Sequence, residues 1–362
     1  MNIDDRIARF VSPWVRDLTP YHVADASGLI KLDAMENPFP LPSTLREQWN
    51  DAITRTELNR YPDPHSTALK AVWRTSLGIP AELGMILGNG SDELIHLLCL
   101  VVAGQPGACV LSPEPSFAVY RIAAQSLGLD FVGVPLNAVD FSLDLPATLE
   151  AIARSQPALV FLASPNNPTA NRIDGEGLEA ICAAAPGLVV LDEAYYRFAN
   201  GTRVRETIQY DNLVVMHTLS KIGLAGLRLG ALFGAQPWID LLERLRMPYN
   251  INTLTQVGAQ FALEHLGDFE RQIALIVEAR ADLSAALSDL SGIRAWPSVT
   301  NFILFRTPSG RATAVFESLR AQGVLIKNVA GAHPLLADCL RVTVGTPREN
   351  AIFIAALTKA LA

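Results

Sequence analysis

The feature of this sequence that most restricts its fold is an alternation of short apolar runs with amphipathic stretches from about Leu45 to Leu263. Strands buried on both faces read as continuous runs of Val, Leu and Ile, and intervening helices imply parallel crossovers. The pattern predicts strands at Met85–Leu87, Cys109–Ser112, Phe131–Pro135, Ala158–Ala163, Leu188–Leu191, Leu213–His217 and Leu229–Phe233. Helices are predicted at Asp92–Val102, Phe117–Leu127, Pro146–Arg154 and Gly177–Ala185. We therefore expect a doubly wound α/β sheet, whose ligands bind at the carboxyl ends of the strands.

The alternation stops near Leu263, and a smaller α+β domain is predicted beyond it. Its expected elements are a helix at Glu270–Leu290, a strand at Asn301–Phe305, a helix at Thr313–Gln322, strands at Val324–Lys327 and Leu340–Val344, and a helix at Asn350–Leu361. The first stretch of the chain is rich in Pro and lacks periodicity. We thus expect an N-terminal segment at residues 1–44 that packs on the other domains, a large domain at 45–266 and a small domain at 267–362.

Composition restricts the partners and the compartment. The net charge is −7 and Lys/Arg-rich runs are missing, which argues against a nucleic-acid partner. The longest apolar stretch, Leu94–Ala103, is about half the roughly 20 residues that a membrane helix needs. The sequence begins MNIDDRIARF, which does not resemble a signal peptide. The cysteines are scattered without a CxxC pair, so neither disulfides nor a metal site are expected. These features predict a cytoplasmic protein that binds no membrane.

The segment HTLSKIGLAGLRLG, residues 217–230, is the most informative for chemistry. A lysine just past a strand end, with a hydroxyl before it and an arginine after it, suits a carbonyl cofactor that bears a phosphate. Lys221 would then form a Schiff base, while Ser220 and Arg228 would hold the phosphate. An isolated Ser-Lys pair is better explained as a solvated loop, so this interpretation depends on the neighbouring strand ends.

Two of those strand ends carry suitable polar groups. Asn167, in SPNNPTA, lies in a rigid turn and can donate to a phenolate oxygen, although it can equally be a turn-forming residue. Asp192, in LDEAYYRF, can pair with a pyridinium nitrogen and make the ring an electron sink, although a helix N-cap is a common alternative. Tyr195 can share the phenolate oxygen with Asn167.

A further strand end, GNGSDEL at residues 88–94, opens a predicted helix. Free N–H groups at a helix start form a phosphate site, although Ser and Asp also suit an ordinary N-cap. Phe117 follows the turn SPEPS and can stack on an aromatic ring, although an aromatic residue there is more often part of the core.

Together these segments resemble the fold type I pyridoxal-phosphate-dependent aminotransferases, and most closely the histidinol-phosphate aminotransferases among them. The matching segments run in family order from Leu32 to Asn350: LDAMENP, RYPDP, GNGSDEL, SPNNPT, DEAYYRF, TLSKIGLAGLRLG, PYNINTLTQ and CLRVTVGTPREN. The resemblance implies a large domain with a mostly parallel seven-stranded sheet sandwiched by helices, plus a smaller α+β domain.

The resemblance also implies roles for individual residues toward pyridoxal 5'-phosphate. Lys221 is the lysine bonded to the cofactor, Asp192 pairs with the pyridine nitrogen, and Tyr195 is a second catalytic side chain at the phenolate oxygen. The remaining cofactor-binding residues that it implies are Gly90, Ser91, Phe117, Asn167, Thr218, Ser220, Arg228 and, from the neighbouring subunit, Tyr61. A homodimer with shared active sites is therefore expected.

Substrate binding is implied at four positions. Arg341 matches the arginine that grips the α-carboxylate of the amino donor, and Tyr21 and Asn37 match substrate-contacting positions. Lys327 stands where many family members carry an arginine for the substrate phosphate. A single ammonium group therefore replaces a planar guanidinium group there.

The implied reaction is a ping-pong transamination in histidine biosynthesis, in which histidinol phosphate and 2-oxoglutarate give imidazole acetol phosphate and glutamate. An aromatic amino-acid aminotransferase and a phosphate-substrate decarboxylase of the same fold are the nearest alternatives. A cofactor-binding regulator without turnover is a third, but no basic helical domain precedes the first motif.

Overall fold

The structure, a computed structural model, describes residues 1–19, 23–199 and 201–362. The strands are β1 (Ile30–Lys31), β2 (Gly84–Asn89), β3 (Cys109–Glu114), β4 (Asp130–Pro135), β5 (Leu159–Ala163), β6 (Leu188–Asp192), β7 (Leu213–Thr218), β8 (Leu229–Gly234), β9 (Arg294–Ala295), β10 (Phe302–Arg306), β11 (Val324–Leu325), β12 (Lys327–Asn328) and β13 (Cys339–Thr343). The helices are α1 (Ile3–Phe10), α2 (Pro13–Arg16), α3 (Arg46–Thr54), α4 (Thr67–Leu77), α5 (Gly90–Val102), α6 (Val119–Ser126), α7 (Leu145–Ser155), α8 (Gly175–Ala184), α9 (Gln236–Glu243), α10 (Thr253–Glu264), α11 (Leu266–Ser288), α12 (Ala312–Ala321) and α13 (Pro347–Leu361).

The predicted large sheet is confirmed. Its seven strands lie in the order β2-β8-β7-β6-β5-β3-β4. Strand β8 is antiparallel to both of its neighbours, and the other neighbouring strands pair in parallel. The central strands β5, β6 and β7 are buried along their whole length, which is why they read as continuous apolar runs.

Helices cover both faces of this sheet. Successive residues of β5 alternate between two core clusters, with Val160 and Leu162 in one cluster and Leu159 and Phe161 in the other. Side-chain caps fix where two of the crossover helices, α7 and α8, begin. For example, Asp144 accepts a hydrogen bond from the backbone N–H of Ala147 at 3.0 Å at the start of α7. The doubly wound arrangement therefore follows from two apolar faces on each central strand.

The C-terminal part forms an antiparallel sheet in the order β12-β13-β10-β9, packed with α11, α12 and α13. The single strand predicted at Val324–Lys327 is wrong in detail, because the chain splits there into β11 and β12, which pair in different sheets. Strand β11 pairs in parallel with β1. Residues near 30 therefore join the C-terminal sheet region, while no residue of α1 or α2 is buried. In the described part of the chain, no helix is both long and apolar enough to cross a membrane.

Candidate active site

A cavity of about 210 Å³ lies at the carboxyl ends of the parallel strands. Register brings these ends together, because Ala163 of β5 pairs with Asp192 of β6, which pairs with Met216 of β7. Many of the residues predicted from the sequence line this cavity: Ser91, Phe117, Asn167, Asp192, Tyr195, Thr218, Ser220, Lys221 and Arg228. Segments far apart in the sequence thus meet at one place in the fold.

Asp192 is buried at the end of β6 and held in one orientation. Its Oδ1 accepts a hydrogen bond from the backbone N–H of Ala194 at 3.0 Å, and its Oδ2 accepts one from the hydroxyl of Tyr120 at 2.6 Å. Burial raises the pKa of Asp192 to about 6, and the Tyr120 hydrogen bond opposes that rise. The carboxyl group is therefore mainly ionised at neutral pH.

Tyr120 was not predicted as a functional residue. Its ring stacks on Phe161, with centroids 4.6 Å apart, and meets Phe117 edge-on at 5.6 Å. Burial, followed by the charge of Asp192, raises the pKa of Tyr120 well above its usual value, so the phenol remains a donor. Its position three residues after Phe117, within the helix predicted at Phe117–Leu127, was the available sequence signal.

Lys221 lies in a tight turn directly after β7. A 3₁₀ turn covers Ser220–Ile222, and the Ser220 backbone N–H donates to the Thr218 hydroxyl at 3.2 Å. The Lys221 ammonium lies 5.7 Å from the centre of the Tyr195 ring. Desolvation, with a smaller contribution from the nearby Arg341 charge, lowers the pKa of Lys221 to about 8. A lysine in this state is available as both a nucleophile and a base.

The junction of β2 and α5 forms a corner whose chemistry suits an anion, which we call the anion corner. The strand ends at Asn89 and the helix begins at Gly90, whose φ is +75°. A Cβ atom on Gly90 would lie 2.7 Å from Nη2 of Arg228, and one on Gly230 would lie 2.8 Å from the Gly90 carbonyl carbon. The absence of both side chains brings the helix N-terminus, with its free N–H groups, next to a guanidinium group.

Arg228 itself takes a left-handed conformation, with φ at 50°. Its Nη2 donates to Oδ2 of Asp92 at 3.0 Å, and both side chains are about half exposed. Asp92 also lines the cavity but was not predicted as a site residue. Because Asp92 lies in the first turn of α5, this ion pair holds the Arg228 guanidinium beside the start of that helix.

Arg341 links the C-terminal sheet to the cavity. Its Nη1 donates to Oδ1 of Asn167, its Nη2 donates to the Asp33 carbonyl at 2.7 Å, and its guanidinium lies 5.3 Å from the Phe302 ring centre. Lys327 lies opposite Arg341 in the register of β12 with β13. Neither residue is among those that line the cavity in the described part of the chain, and Arg341 is connected to the lining through Asn167.

Other predicted residues lie outside the cavity lining. The Asn37 side chain donates to the Ile222 carbonyl at 3.0 Å and to Gln272 at 2.9 Å, so it supports the turn after Lys221. Tyr61 is 80% exposed and stacks on Tyr249. Tyr21 lies outside the described residues. The functional assignments of these residues stay predictions.

The fold and the cavity belong to a recognisable class. Residues 27–357 match the family described as aminotransferase class I and II, and this span includes all the residues that line the cavity. The chain therefore belongs to this aminotransferase family.

Two sequence relatives and one solved structure resemble the chain over almost its whole length. The chain is 54% identical over 353 residues to "Histidinol-phosphate aminotransferase 2" of Nitrosococcus oceani, covering 98% of both chains. It is 51% identical to "Histidinol-phosphate aminotransferase" of Chromobacterium violaceum, again covering 98% of both. The fold matches a crystal structure of histidinol-phosphate aminotransferase from Sinorhizobium meliloti in complex with pyridoxal-5'-phosphate, with a TM-score of 0.87, 24% identity and 98% of each chain covered.

Proposed function

We propose that this chain transfers the amino group of L-histidinol phosphate to 2-oxoglutarate, giving imidazole acetol phosphate and L-glutamate in histidine biosynthesis. Relatives about half identical over nearly the whole chain carry that activity in their names, which supports the choice of substrate. The observation that carries the chemistry is the meeting of Lys221, Asp192 and Arg228 in one cavity.

The residues present fit pyridoxal 5'-phosphate. The buried Asp192 carboxylate suits the pyridine nitrogen, and Asn167 and Tyr195, which also line the cavity, would hold the phenolate oxygen. The corner at Gly90, with Arg228, suits the phosphate. When bound, this cofactor supplies an electron sink for negative charge developing at the substrate carbon that bears the amine.

The protein's own part in the reaction is to move and hold protons. Lys221 Nζ takes the proton from the substrate carbon that bears the amine and later returns a proton to the reacting system. Its pKa of about 8 leaves part of the amine neutral near physiological pH, as a base requires. Asp192 holds a proton on the ring nitrogen, and Tyr120 keeps that carboxylate oriented.

Arg341 and Lys327 are proposed to meet the anionic end of the substrate. Glutamate presents an α-carboxylate beside its amine, whereas histidinol phosphate presents a phosphate one carbon further away. The planar fork of Arg341 suits both anions, and the ammonium of Lys327, opposite it in the sheet, suits the more highly charged phosphate. Tyr21 and Asn37 remain proposed substrate-side positions, although the Asn37 amide is engaged with Ile222 and Gln272.

We further propose that the protein is a cytoplasmic homodimer in which Tyr61 serves the partner's cofactor phosphate. The strong exposure of Tyr61 supports this assignment, because the side chain lies outside the cavity of its own chain. The division into residues 1–44, 45–266 and 267–362 also remains a proposal, and β1 joins the first of these segments to the last.

The test is a substrate comparison with purified protein and added pyridoxal phosphate. Histidinol phosphate with 2-oxoglutarate is expected to be the preferred pair, with kcat/KM at least about tenfold above that for phenylalanine. A preference for phenylalanine would assign an aromatic amino-acid aminotransferase instead. Release of carbon dioxide without any need for 2-oxoglutarate would assign a decarboxylase.

A further inference from the structure

An ion pair lies at the cavity and has no role in the chemistry described above. Glu36 lines the cavity, and its carboxylate pairs with the Lys31 ammonium. Lys31 also lies 3.5 Å from the Asp33 carboxylate. The Glu36 side chain is 48% exposed and lines the cavity, and the 34% exposed Lys31 side chain lies beside it.

The backbone that carries Glu36 is firmly anchored. The Met35 N–H donates to the Thr343 hydroxyl at 2.9 Å, and the Asn301 amide donates to the Met35 carbonyl at 2.9 Å. Lys31 lies in β1, which is paired with β11. The backbone at both residues is therefore fixed; Glu36 lines the cavity, and Lys31 lies next to it through the ion pair.

The proposed reaction requires one cavity to accept two different tails. Histidinol phosphate ends in an imidazole ring with an N–H donor, whereas glutamate ends in a second carboxylate. A site with only a carboxylate would repel the distal carboxylate of glutamate. A site with only a cation would leave the imidazole N–H without a hydrogen-bond partner.

We propose that the Lys31–Glu36 pair is the subsite for both tails, in which Glu36 accepts the imidazole N–H and Lys31 pairs with the distal carboxylate of glutamate or 2-oxoglutarate. This inference rests on the proposed function. Among the charged residues that line the cavity in the described ranges 1–19, 23–199 and 201–362, Asp92, Asp192, Lys221 and Arg228 are assigned to the cofactor groups, which leaves Glu36 for the tail. Its charge also acts on Lys221, which places both in one electrostatic environment.

Calorimetry with two unreactive ligands tests the inference on the holoenzyme. Imidazolylpropyl phosphate is histidinol phosphate without its amine, and glutarate is glutamate without its amine. Glu36→Ala is expected to weaken binding of imidazolylpropyl phosphate about tenfold and to leave glutarate binding equal or tighter. Lys31→Met is expected to weaken glutarate binding several-fold and to spare imidazolylpropyl phosphate, while Lys31→Arg restores glutarate binding.

Glu82→Gln, an exposed substitution away from the cavity, is the control and should change neither affinity. If each of the two tail variants changes both affinities by the same factor, or if neither variant changes any, the subsite assignment is overturned. If the unaltered protein binds glutarate but not imidazolylpropyl phosphate, histidinol phosphate is overturned as the proposed substrate as well. Equal changes in both affinities, or no change in either, would leave histidinol phosphate as the substrate and would overturn only the Lys31–Glu36 subsite.

Discussion

At the scale of single residues, the central feature is the buried contact between Asp192 and Tyr120. A carboxyl group in an apolar setting tends to take up a proton, and the pKa of Asp192 is raised to about 6 for that reason. The phenol donates at 2.6 Å and favours the ionised form. Asp192 can thus remain a carboxylate in a place where burial alone would neutralise it.

Removal of this donor should be visible in cofactor binding. Tyr120→Phe is expected to move the Asp192 pKa upward, because the hydrogen bond that opposes desolvation is lost. Affinity for pyridoxal phosphate should fall as pH drops through the pKa of Asp192, so the midpoint of this fall should rise in the variant, with affinity at neutral pH reduced about tenfold. Fluorescence titration at several pH values measures this, and an unchanged midpoint would contradict the role of Tyr120.

Lys221 offers a separate pH test in the protein without cofactor. Its pKa is lowered to about 8, so the neutral, reactive amine should form as pH rises through that value. Labelling of Lys221 by a small amine reagent, followed by peptide mass spectrometry, should reach half its maximal rate near pH 8. Exposed Lys359 serves as the internal control for reagent concentration and digestion. A half-maximal rate for Lys221 that is reached only well above pH 8 would refute the lowered pKa.

Many of the residues that line the cavity could be predicted because they stand at strand ends. Lys221, Asp192 and Asn167 each follow an apolar run, and parallel strands end at one edge of a sheet. Tyr120 and Glu36 could not be assigned in this way. Their partners are 72 and 5 residues away, and their roles come from the contacts that the fold makes.

At the scale of elements, the direct passage from β2 into α5 sets the anion corner. No loop separates Asn89 from Gly90, and the positive φ of Gly90 turns the chain into the helix. A side chain there would meet the Arg228 guanidinium at 2.7 Å. The corner therefore depends on a residue without a Cβ atom.

Gly90→Ala is expected to reduce affinity for pyridoxal phosphate more than about tenfold and to lower the free energy of unfolding by about 1–3 kcal/mol. The strain of a positive φ and the contact with Arg228 both contribute. Gly226→Ala, in the turn before Arg228, is the matched control, because its added Cβ would meet nothing within 4 Å. Equilibrium dialysis and urea unfolding measure the two effects. Similar behaviour of both variants would contradict the steric account.

The strands of five or six residues could be predicted, and the two-residue strands could not. Helices α3, α4, α9 and α10 were not predicted either. Strands β2, β3, β5, β6, β7 and β8 are buried almost throughout and are recognisable by their apolar composition, whereas the edge strand β4 is largely exposed or half-buried. Strands β1, β11 and β12 have two residues each, and pairing with distant partners alone defines them. The split of Val324–Lys327 into two sheets is a consequence of those partners.

At the scale of the whole molecule, the expected sharing of sites between subunits can be tested directly. Tyr61 stacks on Tyr249, and the segment that carries it is tied to α10, because Gln256 donates to the Asp63 carbonyl at 2.9 Å. This arrangement holds a strongly exposed aromatic side chain on an ordered surface. The sequence predicted the dimer only through resemblance, since no contact within one chain reports a partner.

Two inactive variants should complement each other if the sites are shared. A Lys221→Ala chain co-expressed with a Tyr61→Ala chain should form mixed dimers in which one site has both an intact lysine and an intact tyrosine. About half of the dimers would be mixed, so the activity should reach about a quarter of that of the unaltered protein. Activity no higher than the average of the two parent variants would contradict a site completed by the partner.

The most direct test of the central claim, that this chain transaminates histidinol phosphate at Lys221, is a single-turnover measurement without any oxo acid. Enzyme loaded with pyridoxal phosphate should yield one equivalent of imidazole acetol phosphate per site, then stop until 2-oxoglutarate is added. Lys221→Ala should yield almost none on the same timescale. Continued turnover without 2-oxoglutarate, or an equal rate in the variant, would contradict the account.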